Sequence, residues 1–89
     1  MKNTRELEKI VKGFSNHRRI EILWLLEKRP DLSLLEIADI LKVNFKTIGE
    51  HVRRLAHAGL VWKRNDAKAV RHTLSDLGKL ILKFLRTLE

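Results

Sequence analysis

Between Asn44 and Ala58 the chain reads NFKTIGEHVRRLAHA, and apolar residues recur there at Ile48, Val52 and Leu55. That spacing predicts a helix with one apolar side. Lys46, Glu50, Arg53 and His57 then share the opposite side, with Thr47, Gly49 and Arg54 on its flanks. A row of donors on successive helical turns matches phosphate oxygens and the acceptor edges of base pairs. It does not match bond-making chemistry. The chain has no paired carboxylates, no glycine-rich phosphate loop and no nucleophile beside a base, so an enzyme is not expected. No cofactor is expected either.

Within this stretch each residue type has its own reason. Asn44 is placed to cap the helix. Lys46 and Thr47 fall in the first turn, where free backbone N–H groups and the helix dipole also favour phosphate. Gly49 costs about 1 kcal/mol against alanine in a helix; it either admits close approach to a base or is simply tolerated. Glu50 is an acceptor among donors. It either reads a cytosine amino group or orients Arg53 or Arg54. His51 flanks the apolar spine and is a candidate phosphate donor.

The segments around this helix have the means to hold it in place. Ser33, with Glu36 three residues on, forms a capping box that starts a helix carrying Leu34, Ile37, Ala38 and Leu41. Lys42, Val43 and Asn44 make the turn that follows, and Gly59 ends the second helix by taking left-handed angles. Upstream, Leu7, Ile10, Val11 and Phe14 form the stripe of an amphipathic helix over about residues 4–14. Ser15 or Asn16 caps another from His17 to Lys28, apolar on two sides and stopped by Pro30. Leu32 fits one short extended segment.

After Gly59 the period changes from helical to two. Leu60–Arg64 and Ala69–Leu74 read as strands joined by a turn at residues 65–68. Arg64, Lys68 and Arg71 project from this hairpin, beside the basic helix. Ser75 caps a last helix whose Leu77, Leu80, Ile81, Leu82, Phe84, Leu85 and Leu88 cover about 200° of its surface, twice what one core needs. A chain of 89 residues buries a modest share of its surface. A dimer seam is therefore expected, drawing on Leu7, Ile10, Val11 and Phe14 and on Leu80, Ile81, Phe84, Leu85 and Leu88.

Net charge is +8 and the sequence pI about 10.3. Such an excess points to nucleic acid or an anionic surface. Where the charge sits matters more than its size: residues 42–72 hold +6 of the +8, in about a third of the chain, whereas a solvated surface with no partner would spread it more evenly. The absence of cysteine excludes disulfides and thiolate metal sites. No apolar run is long enough to span a membrane, and the first residues lack the apolar core of a signal peptide. A soluble, cytoplasmic protein is expected.

Two helices joined by a three-residue turn, followed by a β-hairpin, form a winged helix-turn-helix. The fold class is mainly α with a small hairpin, in a single domain over residues 1–89, with the helix-turn-helix at about 33–58, the wing at about 60–74 and terminal helices at about 4–14 and 76–88 for pairing. The runs FSNHRRIEILWLL, LLEIADILKVNFKTIGEHVRRLAHAGLV and VRHTLSDLG resemble the ArsR-type repressors over nearly the whole chain. The resemblance implies a homodimeric transcription regulator that binds double-stranded DNA, paired through its terminal helices. Three departures stand out: His17 replaces a common proline, Lys42 replaces a small residue or glycine, and the wing tip lacks glycine. Metal-sensing members carry cysteines on the first helix of the unit or Asp/His clusters on the last. Here there is no cysteine, and His17, His51, His57 and His72 are scattered, so no metal is expected. Two other readings compete: a winged-helix module that binds protein, and an architectural protein that binds DNA without sequence preference.

Overall fold

Every helix begins on an asparagine or serine whose side chain accepts from the backbone of its first turn. The computed structural model describes all of residues 1–89, in the order α1 (Thr4–Phe14), α2 (His17–Lys28), α3 (Leu34–Leu41), α4 (Phe45–His57), β1 (Val61–Asn65), β2 (Val70–Leu74) and α5 (Asp76–Arg86). The caps are Asn3, Asn16, Ser33, Asn44 and Ser75. At Ser33 the capping box is complete: the Glu36 N–H donates to Ser33 Oγ, and the Ser33 N–H donates to Glu36 Oε1. Such a cap stabilises by about 1 kcal/mol and fixes where a helix starts. The fold is the winged helix-turn-helix expected from the sequence.

Helix ends are fixed as tightly. Gly59 takes φ +80, the Gly59 N–H donates to Ala56 O, and the Leu60 N–H donates to Leu55 O. That pair of bonds terminates α4 and turns the chain into the wing. Lys42 occupies the equivalent left-handed position after α3, with φ 56, at a cost of about 1 kcal/mol for a side chain with a Cβ.

The core is built around α2. Ile22, Leu23 and Leu26 are buried where α2 packs against α4, β2 and α5, in one core with Ile48, Val52, Leu55, Leu74 and Leu82, and Ile37 and Ala38 join that core from α3. In the antiparallel hairpin Val61 is opposite Leu74 and Asn65 opposite Val70, so the strands start and end within a residue of expectation. Leu32 adds a third short piece of sheet by pairing with His72.

The terminal helices divide their apolar residues differently from the sequence expectation. Phe14, expected at a subunit seam, is buried in the chain's own core. Ile10, Ile81 and Leu85 are half-buried against that core. Leu7, Val11, Leu80, Phe84 and Leu88 stay exposed, the last three at 61%, 52% and 68%. The reason is helical phase: Leu82 and its neighbours one turn away reach inward, which leaves Leu80, Phe84 and Leu88 outward.

His72 is the buried polar group at the wing junction. Its backbone N–H donates to Leu32 O, the Asp31 N–H donates to His72 O, and its Nδ1 lies 2.8 Å from Leu32 O. Burial pulls its pKa below the ordinary 6.5, although the Leu32 carbonyl favours the charged form; Lys63 opposes it. A depressed folded-state value means that the unfolded chain binds the proton first. Stability is therefore complete above about pH 6.5 and is lost as pH falls through the folded value. Denaturant titrations between pH 7 and pH 5 should show this loss, and His72→Gln should reduce it.

Candidate nucleic-acid interface

On α4 the apolar spine is fully enclosed, so the helix is clamped with its opposite side to solvent. Lys46, Thr47, Glu50, Arg53, Arg54 and His57 are all exposed. Asn44 Oδ1 accepts from the N–H groups of Lys46 and Thr47, at 2.8 and 3.3 Å. The two residues expected in the first turn are therefore held there by the cap that begins the helix.

Glu50 organises the middle of this face. Arg53 donates to it through Nε and Nη2, and Arg54 Nε lies 3.3 Å from Glu50 Oε1. The Arg53 hydrogen bond, and then the charges of Arg53 and Arg54, hold the Glu50 carboxyl below its ordinary range. Of the two readings open for Glu50, the orienting one has this geometry. Gly49 is half-buried, and a Cβ there would meet Leu34 Cδ1 at 3.8 Å, an ordinary contact. Packing does not require glycine at that position.

Two expected contact residues are turned elsewhere. His51 is half-buried and faces α2, where Arg19 Nε donates to its Nδ1 at 3.2 Å. Burial and the nearby charges of Arg19, His17 and Arg54 lower its pKa. In this geometry it accepts from Arg19 on the α2 side of the helix, away from the exposed basic face. Arg71 is likewise occupied: Nε donates to Asp66 Oδ2 at 3.0 Å and Nη1 to Glu36 Oε1 at 2.9 Å. It joins the wing tip to the start of α3. Asp66 accepts from the Lys68 and Ala69 N–H groups and from Arg71, and its pKa falls to about 2. Arg64 is exposed, 3.4 Å from Asp31 Oδ1, and Lys68 is exposed at the wing tip without an ion pair.

The arrangement is thus an exposed basic helix face with an adjoining wing. A profile of the arsR family of bacterial regulatory proteins matches residues 16–63, more than half of the chain. The chain belongs to the ArsR family. It is 32% identical over 75 residues to the transcriptional activator HlyU of Vibrio cholerae, covering 84% of this chain and 68% of that one. It is 27% identical over 74 residues to a Staphylococcus aureus homolog of the cadmium resistance regulatory protein CadC, covering 83% of this chain. The chain spans 61% of that relative's length. Among solved structures, HlyU from V. cholerae superposes with a TM-score of 0.83 at 31% identity, over 98% of this chain and 95% of that one. A homodimeric winged helix-turn-helix DNA-binding domain from Mycobacterium bovis has a TM-score of 0.86 at 20% identity, covering 94% and 78%, which is a likeness of fold.

In this ArsR-family chain, Arg19 is a residue that sequence reasoning missed. Its Nη1 donates to the carbonyls of Lys12 and Gly13 while its Nε holds His51. It ties the end of α1 to α2 and α4. Its charge gave no signal of this, because the partners lie on other elements. The finding at Gly49 carries a prediction: Gly49→Ala should raise stability by about 1 kcal/mol in denaturant unfolding, since helix propensity improves and nothing blocks the methyl.

Proposed function

We propose that the chain binds double-stranded DNA as a homodimer and regulates transcription, with α4 in the major groove and the wing beside it. The observation that carries this reading is the exposed basic side of α4 opposite its enclosed spine. Asn44, Lys46 and Thr47 serve phosphate at the helix start; Arg53 and Arg54, set by Glu50, reach base edges or the flanking backbone. Gly49 is the point of closest approach. Arg64 and Lys68 supply the wing's contacts, and Arg71 stiffens the wing instead of touching DNA. His51 supports the helix from behind.

The homodimer reading draws on the exposed apolar residues of the terminal helices. Leu7 and Val11 on α1 and Leu80, Phe84 and Leu88 on α5 present side chains that a second copy would cover. Pairing there would set two α4 helices on successive half-sites about one helical turn apart. Bound in that way, the dimer would exclude other proteins from the same DNA, so we propose repression by occupancy. We also propose that it senses no metal: the chain has no cysteine, and its four histidines are spread over α2, α4 and β2 without forming a cluster.

Gel-shift titrations at two salt concentrations test the DNA reading. Affinity should fall steeply with salt, and Arg53→Ala/Arg54→Ala should weaken binding at least tenfold, lowering the log–log salt slope by about 0.9 per phosphate lost. Unchanged binding in that variant would remove α4 from the account. For the dimer, light scattering should give twice the chain mass for wild type and a monomer for Phe84→Glu. A monomeric wild type would contradict the seam.

A further inference from the structure

α4 packs against α1, and Gly13 in the last turn of α1 meets Ala58, the cap of α4. A Cβ on Gly13 would collide with that of Ala58. Beside this contact is a groove of about 350 Å³, floored by Gly13 and Ala58. Its walls carry Lys9 and Lys12 of α1, Arg19 of α2, and Arg53 and Arg54 of α4. Glu8 is the one carboxylate that lines it, and that group lies 3.5 Å from Lys12 Nζ. Five cationic side chains from three helices therefore face one acid.

Part of their donor capacity is unspent, although Lys12 is paired with Glu8. Lys9 has no ion-pair partner, and Arg54 uses only Nε, on Glu50. Arg53 uses Nε and Nη2 on the same carboxylate, leaving Nη1. Arg19 uses Nε and Nη1 within the fold, leaving Nη2. Burial, and then the charge of Arg54, pull the Arg19 pKa down. Arg19 and Arg54 are thus close enough to repel one another, with Glu50 opposing the effect. Like charges gathered in a groove are relieved by an anion, and guanidinium forks from two sides match the several oxygens of a phosphate better than the two of a carboxylate.

We propose that this α1–α4 groove binds a phosphate group. Two sources have that chemistry: a backbone phosphate of duplex DNA beyond the track of α4, and a free phosphorylated small molecule. The first rests on the DNA-binding reading above; the second does not.

The test uses inorganic phosphate and the full chain. Amide NMR shifts are followed during a phosphate titration at constant ionic strength, with chloride as the control. Wild type should show saturable shifts at Gly13, Arg19 and Ala58. Lys9→Gln/Lys12→Gln, altering two exposed side chains, should weaken that binding about tenfold with the fold intact. The same variant is then compared with wild type in the salt dependence of duplex binding. A slope lowered by about 0.9 or more assigns the groove to DNA backbone; an unchanged slope alongside phosphate shifts assigns it to a free phosphorylated ligand. Shifts that match the chloride control, or that persist in the variant, overturn the proposal. If wild type binds no duplex, the DNA reading fails while the phosphate titration still decides the groove.

Discussion

The enclosure of one side of α4 is the constraint on which the rest of this molecule depends. Ile48, Val52 and Leu55 are 0–1% exposed. Burying each such side chain contributes about 2 kcal/mol, as an upper estimate. No rotation of the helix keeps those three inside and also hides Lys46, Glu50 and Arg53. Burying unpaired cations would cost more than any packing returned. The basic face is therefore a consequence of the apolar one. α3 supplies the surface that α4 locks onto, and α2 packs against α4 as well.

Polar contacts then refine what packing has fixed. Glu50 gathers Arg53 and Arg54, and Arg71 joins Asp66 at the wing tip to Glu36 at the start of α3. These pairs sit in water, where ion pairs set orientation more than stability. Their effect is geometric. Arg71 couples the wing to the first helix of the helix-turn-helix unit, and the Leu32–His72 pairing does the same from the buried side. Arg19 links three helices with one guanidinium, so the back of α4 is held by a hydrogen-bond junction as well as by hydrocarbon.

What was legible in the sequence follows from the range of the interactions. Caps at Ser33, Asn44 and Ser75 are local, made within three residues, and each could be read from residue type and spacing, while at α2 residue type left Ser15 and Asn16 open and the structure gives Asn16. Helical period located the α4 spine for the same reason. The roles of His51 and Arg71 were not legible. Their partners Arg19 and Glu36 lie 32 and 35 residues away, and only the tertiary path brings them together. The terminal helices are an intermediate case. Apolar breadth on α5 showed that one core could not absorb every residue, but which residues it takes depends on how α5 settles against α2. Phe14 was misplaced on the same ground: it continues the stripe of Leu7 and Val11, yet only the last turn of α1, at Gly13 and Phe14, is buried.

The central claim is that two copies of α4 read DNA in adjacent major grooves. Hydroxyl-radical footprinting of wild-type protein on a selected duplex tests it most directly. The account predicts two related protected half-sites about 10 base pairs apart, centre to centre, with flanking protection from the wings. A single unrepeated footprint, or even protection along the whole duplex, would contradict it.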